Sequence, residues 1–552
     1  MNLEALLASR LKAAFSQVAG VVVDPAVRRS PHADFQSGAA LPLARTLGRA
    51  PRDIAADVLA RADLAGVATA AVSGPGFLNL ALDDSLLVAA ANEAAADARL
   101  GVPPAADPQR IVIDYSAPNI AKELTIGHLR STVIGDAAAR VLEWLGHDVV
   151  RANHVGDWGT QFGLIIEHLG DGDPGEIGDL TAFYQAARAR FDTDEGFRTR
   201  ARLRVVALQG GDERTLAVWR QFVAVSERQL LAAYARLGVT LGPGDFTGES
   251  FYNDQLESVV EELAAQGLLT ESDGALCAFP AGFTGRDGDP LPLIVRKSDG
   301  GFGYAATDLA ALRHRVRNLH ATRLLYVVGA PQQTHFRMVY AVAAAAGWLP
   351  AGVSAQHVAF GSILGTDGKM FRTRSGGSVK LAAVLDEAIT RAAVRAPSAE
   401  IARAVGVGAI KYADLSSDRM SGYVFDWDRM LALTGNTGPY MQYAYARVQA
   451  IFRRAGESDG RIAITAPAER ALVLELLAFA PVVTGAGTSL EFHRLAGYLY
   501  GLAQTFSTFY EACPVLKAPP GVRESRLALC RLTARTLRRG LDLLGIDTPA
   551  QL

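Results

Sequence analysis

Ile111-Val112-Ile113-Asp114-Tyr115, followed by Ser116-Ala117-Pro118-Asn119-Ile120-Ala121-Lys122-Glu123-Leu124-Thr125-Ile126-Gly127-His128-Leu129-Arg130-Ser131, is the stretch that decides the fold. The apolar run suits a parallel strand covered on both faces. A turn containing Pro118 follows it. From Leu129 to Leu145, apolar residues recur at 129, 133, 134, 137, 141, 142 and 145, a helical period, and Gly146 is a suitable stop. Val149-Val150 opens a second strand. Leu324-Leu325-Tyr326-Val327-Val328 and His357-Val358-Ala359-Phe360 supply two more. Strand–helix–strand spacing of this kind predicts an α/β fold with a doubly wound, Rossmann-like parallel sheet.

Working outward, residues 1–105 mix helical runs with a strand-like piece, Gly76-Phe77-Leu78-Asn79-Leu80, and end in Gly101-Val102-Pro103-Pro104, a linker composition. They read as a separate N-terminal α+β domain. Residues 106–415 hold the α/β rhythm, with an insertion at about 170–290 that includes helices over Asp179 to Arg190 and Glu213 to Leu237. From 416 to 552 the pattern is helical throughout, with amphipathic segments near 439–454, 469–484, 491–512 and 523–544.

Composition narrows the class. The 552 residues are 49% hydrophobic and 20% charged with a net charge of −2, a globular balance and no general polycation. The three cysteines, Cys277, Cys513 and Cys530, form no C-x-x-C pair, so neither a zinc site nor a disulfide framework is expected. Met1 to Gly20 lacks the basic start of a secretory signal, and no uncharged apolar run reaches about 18 residues. A soluble cytoplasmic protein without a membrane partner is the expectation. Only seven lysines occur, and two of them, Lys122 and Lys369, lie in glycine-bearing basic stretches.

The turn between strand and helix is where chemistry is expected. Free N–H groups and the positive end of the helix dipole favour phosphate there. Gly127 permits close approach to the backbone, and Lys122 and His128 offer donors to developing phosphate charge. The Gly368-Lys369-Met370-Phe371-Arg372-Thr373-Arg374-Ser375-Gly376-Gly377 stretch is basic and glycine-flanked, suited to closing over a polyphosphate.

The full string from Ser116 to Ser131 resembles the HIGH signature of class I aminoacyl-tRNA synthetases in its arginyl form. The resemblance continues through Asn153-His154-Val155-Gly156-Asp157-Trp158-Gly159-Thr160-Gln161-Phe162-Gly163. It resumes at Gly368–Gly377, which is similar to that family's divergent KMSKS loop. It ends at Asn436-Thr437-Gly438-Pro439-Tyr440-Met441-Gln442-Tyr443-Ala444-Tyr445-Ala446-Arg447, the opening of an all-α anticodon-binding domain. Ser73-Gly74-Pro75-Gly76-Phe77-Leu78-Asn79 resembles the extra N-terminal domain of the arginyl branch.

The resemblance implies ATP-dependent ligation of L-arginine to the 3′ end of tRNA(Arg) through an arginyl-adenylate. ATP enters as substrate with its Mg²⁺, and the enzyme is expected to be a monomer. It implies catalytic roles for Lys122, His128, Lys369, Arg372 and Arg374. It implies ATP contacts from Thr125, Gly127, His128, Gly156, Asp157, Gly159, Gln161, Phe360 and Lys369. For arginine it implies Tyr304 and Asp308, with Glu249 as a third member, and Asp114, Asn119 and Gln332 around the amino and carboxylate ends. Paired acids suit a guanidinium, which presents five donors in a rigid fork. For tRNA it implies Asn436, Tyr440, Gln442 and Arg447. A basic stripe at Arg531, Arg535 and Arg538, spaced i, i+4 and i+7, suits phosphates, in a segment with 15 basic against 12 acidic residues from 416 onward. Tyr440, Tyr443 and Tyr445 offer rings for splayed bases.

The loop fits two registers, one on Lys369-Met370 and one on Arg372-Thr373-Arg374-Ser375. Thr125 stands where the signature has its first histidine, a shorter group that is never cationic. That departure leaves two alternatives open: a specialised copy of the enzyme, and a catalytically impaired tRNA-binding homologue.

Overall fold

The computed structural model describes residues 2–552 except 171, 286, 372–378, 457 and 458. The deciding stretch forms the strand Arg110–Asp114 and the helix Ile126–Trp144. With Asp148–Ala152, Arg323–Tyr326 and Ser354–His357 the first strand makes a four-stranded sheet, parallel throughout. In chain order the strands run fourth, third, first, second across the sheet. The order therefore reverses between Arg110–Asp114 and Arg323–Tyr326. A crevice opens beyond the carboxyl ends of two strands at such a reversal, and ligands bind there.

The fourth strand lies earlier than the sequence predicts. Val358 and Phe360 are buried beyond the strand's end, where apolar residues cover the cleft floor rather than continue the ladder. The insertion contains the expected helices, Leu180–Thr193 and Glu213–Leu237, and two features that the reading missed. These are a helix at Glu195–Gln209 and a three-stranded antiparallel sheet of Thr270–Ser272, Ala275–Ala278 and Leu293–Arg296. Arg198, Arg200, Arg202 and Arg204 mask the period of that helix, which buries only Phe197, Ala201 and Leu208.

The N-terminal residues fold as an antiparallel sheet ordered Val27–Ser30, Ala33–Ser37, Phe77–Leu82, Ala68–Ser73, with helices Leu3–Ala19 and Pro51–Arg61 packed on it and the helix Asp84–Ala96 packed against Pro467–Leu477 farther along the chain. The C-terminal bundle comprises Gly438–Ala455, Pro467–Leu477, Phe479–Ser489, Phe492–Ala512 and Val522–Leu543. Pro467–Ser489 is apolar enough by composition to cross a bilayer. It is instead broken at Ala478 into two bundle helices, and Arg470 on the first ties Asp34 at 2.7 Å and Asp84 at 2.7 Å.

One expectation fails beyond 416. Tyr423–Val424 is a short strand paired in parallel with Ile363–Leu364, so this segment joins the α/β body before the bundle begins. Three side chains of the tRNA expectation are also placed elsewhere than expected. Gln442 is fully buried and donates to Ala404 O at 2.9 Å and Asp547 O at 2.8 Å. Its amide ties the bundle to the preceding helix Ala399–Leu415, because helices this closely packed leave no solvent on that face. Tyr445 is buried at 5% exposure and offers no ring to a base. Arg535 donates to Ala95 O and, at 2.6 Å, to Asp97 O, capping the end of Asp84–Ala96 and bolting the N-terminal domain to the bundle. Arg538 remains exposed.

Candidate active site

The turn 115–125 sits at the sheet's reversal point and is held in an unusual backbone path. Ser116, Ala117 and Ala121 have φ of 69°, 43° and 64°, values that non-glycine residues adopt only when the surroundings impose them. Side chains capture the amide protons around them. Ser131 Oγ accepts from Ser116 N–H at 2.9 Å, Asn153 Oδ1 from Ala117 at 3.0 Å, Ser226 Oγ from Ala121 at 3.1 Å and Thr181 Oγ1 from Glu123 at 2.9 Å. Tyr234 OH lies 2.8 Å from Ser116 Oγ and accepts from Asn153 Nδ2 at 3.0 Å. Thr181, Ser226 and Tyr234 all belong to the insertion. It is therefore the wall that shapes the turn, a role the sequence reading did not assign.

At the helix start, Thr125 N–H donates to His128 Nδ1 at 3.1 Å. A neutral imidazole accepting at Nδ1 carries its proton on Nε2. Burial lowers the pKa of His128, and the nearby Lys122 charge adds to that effect. The ring is thus a neutral donor, with its Nε2–H free for a ligand. Lys122 rests its ammonium 4.1 Å from the Tyr184 ring.

The second basic stretch begins on a short hairpin, and the chain beyond it returns to this turn. Leu364 and Met370 pair across the Gly365–Lys369 turn. Lys369 and Met370 are exposed, and Lys369 N–H donates to Asp367 Oδ1 at 3.0 Å. The predicted Arg372 and Arg374 lie outside the described residues. The chain returns at Val379–Leu381, where Ile126 N–H donates to Val379 O and Leu381 N–H to Leu124 O. Lys380 Nζ lies 2.7 Å from both Glu123 and Asp179. Lys380 is a fixture that the sequence reading missed. The rarity of lysine was the available signal.

On the second strand's side, Gly156 pairs with Asn119 through their backbones. A Cβ at 156 would come within 2.3 Å of Asn119 Oδ1, so only glycine lets the Asn119 side chain lie there. Gln161 donates to Gly156 O at 3.0 Å, and Gly159, at φ 111°, begins the helix Thr160–Leu169. Asp157 is tied to the insertion rather than left open to the cleft. It is 5% exposed, and its two oxygens accept from Ser250 N–H at 2.8 Å and Ser250 Oγ–H at 2.6 Å. It thereby positions the neighbouring Glu249.

Glu249 is the most perturbed acid of the cleft. Burial, then the charges of Asp157 and Asp308, push its carboxyl up to about 8. Asp308 lies on the helix Tyr304–Arg317, where His335 Nε2 meets its Oδ2 at 2.6 Å. Tyr304, one turn earlier, stands at the rim with 78% exposure, and Gln332 is exposed just past the third strand. Asp157, Glu249 and Asp308 lie close enough for the charges of the two aspartates to act on Glu249, a set of acids suited to a positive ligand. Asp114 is not one of them. It pairs at 2.7 Å with Arg315, and both side chains are buried. Arg315 lies on the same helix as Asp308, so this pair bolts the acid-bearing helix to the end of the first strand. Phe360 is buried and its backbone pairs with Gly329 at the cleft floor.

In the bundle, Asn436 Oδ1 accepts from Tyr412 OH at 2.6 Å, Tyr440 packs edge-on against Tyr500 at 5.6 Å, and Arg447 lies 4.9 Å from the Tyr510 ring. Tyr443 is half exposed. Arg531 lines a cleft beside Arg535 and Asn92.

Known proteins match this architecture along its whole length. Family models match for the arginyl-tRNA synthetase N-terminal domain at 1–82, the class I (R) tRNA synthetase catalytic domain at 92–427 and the DALR anticodon-binding domain at 441–552. An arginine–tRNA ligase of Thermobifida fusca is 53% identical, covering 100% of this chain and 99% of the relative. One of Frankia casuarinae is 53% identical over 96% of this chain and 95% of its own length. The structure of Thermus thermophilus arginyl-tRNA synthetase superposes with a TM-score of 0.84 at 28% identity, covering all of both chains. That of the Plasmodium falciparum enzyme gives 0.86 at 28% identity, covering 100% of this chain and 99% of that one.

Proposed function

We propose, from the premise that the chain belongs to the arginyl-tRNA synthetase family of class I, a division of labour in which the acid cluster selects arginine and the two basic segments bind ATP. The enzyme ligates L-arginine to tRNA. The observation that carries the assignment is the cluster of Asp157, Glu249 and Asp308 at the sheet's reversal point, beside the turn bearing His128. A guanidinium needs several carboxylate acceptors in fixed directions. Glu249 and Asp308 supply them, with Asp157 and His335 turning each acid toward the cleft. Tyr304 and Gln332 close the rim, and Asn119 takes the polar end of the amino acid.

Mg-ATP enters as substrate. The arginine carboxylate attacks the α-phosphate in line, a P–O bond forms, and pyrophosphate leaves with its bond pair. The terminal ribose hydroxyl of tRNA then attacks the activated carbonyl and AMP leaves. His128 Nε2–H, Lys122 and Lys369 meet the charge that develops on phosphate. Gly127, Gly156 and Gly159 keep the floor open. The reading includes a monomeric, cytoplasmic enzyme. Three buried unpaired cysteines suit a reducing compartment.

The pH dependence follows from Glu249. Below about 8 its carboxyl is mostly protonated in the free enzyme, whereas a bound guanidinium favours the carboxylate. Affinity for arginine therefore rises with pH, by up to about tenfold per unit, and levels off above about 8. Arginine KM measured from pH 6.5 to 9 checks this. A flat profile would remove Glu249 from the pocket.

Thr125 keeps a hydroxyl donor where the signature has its first histidine, but a shorter one that is never cationic. Thr125→His is expected to raise arginine-dependent ATP turnover by about threefold to tenfold. No increase would show that the position carries no catalytic weight. The impaired-homologue alternative is tested by genetic replacement of a host's sole arginyl synthetase. Growth supports the enzyme reading, and tight tRNA binding without growth supports the alternative.

A further inference from the structure

We propose that Arg130 is a positioning residue for the reaction, locking the turn that carries His128 to the root of the hairpin that carries Lys369. The proposal rests on the assignment of both segments to the ATP site. Arg130 lies two residues past His128 on the same helix and is 1% exposed. Its Nη1 donates to Gly361 O at 2.8 Å and to Ser421 O at 3.0 Å. Its Nε meets Asp414 Oδ1 at 3.2 Å. The rings of Phe360 and Tyr423 lie 5.8 Å and 5.4 Å from the guanidinium.

These partners are the root of the second basic segment. Gly361 lies two residues before Ile363–Leu364, and that strand pairs with Tyr423–Val424, just past Ser421. Leu364 pairs in turn with Met370, next to Lys369. One planar fork therefore spans the His128 helix, the outgoing arm of the hairpin and the strand against which that arm lies. A lysine, with a single point charge, cannot hold these acceptors in one plane.

A buried ion pair is weak evidence of a contribution to stability, since a well-packed apolar pair often serves the core equally well. That separates the two roles experimentally. Arg130→Lys and the double variant Arg130→Met/Asp414→Leu are compared with wild type for thermal unfolding, arginine-dependent ATP turnover and tRNA charging. The expected result is a Tm within about 5 °C of wild type for the double variant. In both variants kcat falls about 10- to 100-fold while KM for arginine stays within about twofold, because His128 and Lys369 lose register while the acid pocket is untouched. A folded double variant with kcat near wild type would overturn the proposal. So would failure of both variants to fold, which would assign Arg130 to the core alone. A wild-type chain that turned over no ATP would overturn the site assignment as well.

Discussion

Asp114→Asn is expected to destabilise the enzyme by about 3–5 kcal/mol and to abolish charging, because it leaves Arg315 buried without its counter-charge. The family resemblance puts Asp114, with Asn119 and Gln332, around the amino and carboxylate ends of the substrate. The structure places it against Arg315, at 2.7 Å and out of solvent. Burial opposes the Arg315 charge and Asp114 restores it, holding the guanidinium firmly protonated. An asparagine keeps the shape and removes the charge. Thermal unfolding and arginine charging, measured together, separate the two roles. A substrate ligand would raise KM and leave Tm unchanged. A bolt between the first strand and the acid-bearing helix lowers Tm, and replacing both partners with apolar residues recovers part of the stability. An unchanged Tm in Asp114→Asn would return the residue to the substrate.

Asp308→Asn and Glu249→Gln are expected to lower kcat/KM for arginine by about 30- to 4000-fold, the effect of about 2–5 kcal/mol when one partner of a desolvated charge pair is neutralised. Both are near-isosteric, so the fold should hold. The loss should appear mainly in KM for arginine, with KM for ATP within about threefold, since the phosphate-facing groups are on other segments. His335 gives a graded control. It touches Asp308 at 2.6 Å without belonging to the acid cluster, so His335→Ala should weaken arginine binding less than Asp308→Asn does. Equal losses for ATP and arginine would mean that the acids hold the cleft together rather than select the amino acid.

Elements were legible in the sequence where one residue's neighbours lie nearby in the chain. The strand at Arg110–Asp114 and the helices Ile126–Trp144 and Glu213–Leu237 carry clean apolar periods and were found. The basic stretch at Gly368–Lys369 and the signature turn were legible from residue type. What escaped were the pairings between distant positions. Ser226 and Tyr234 look like ordinary polar positions on a long helix, yet they hold the strained turn from more than one hundred residues away. Arg315 is one basic residue among several at the end of its helix, and nothing local says that it turns inward to Asp114. Arg535 and Gln442 read as surface polar groups because the sequence does not reveal which helix face a second domain covers. Asp157 fell inside a recognised motif and was read as a ligand. Its two hydrogen bonds to Ser250, the residue after Glu249, are what the motif did not reveal.

The central claim is that a carboxylate pocket reads the guanidinium of the amino acid that is joined to tRNA. Its most direct test is charging of total tRNA by the purified protein with Mg-ATP and, in separate reactions, labelled arginine, lysine or citrulline, the neutral isostere of arginine. The account predicts charging with arginine and a kcat/KM at least about 10⁴-fold lower for citrulline, which leaves buried acceptors unpaired. Comparable charging with citrulline, or none with arginine, would contradict it.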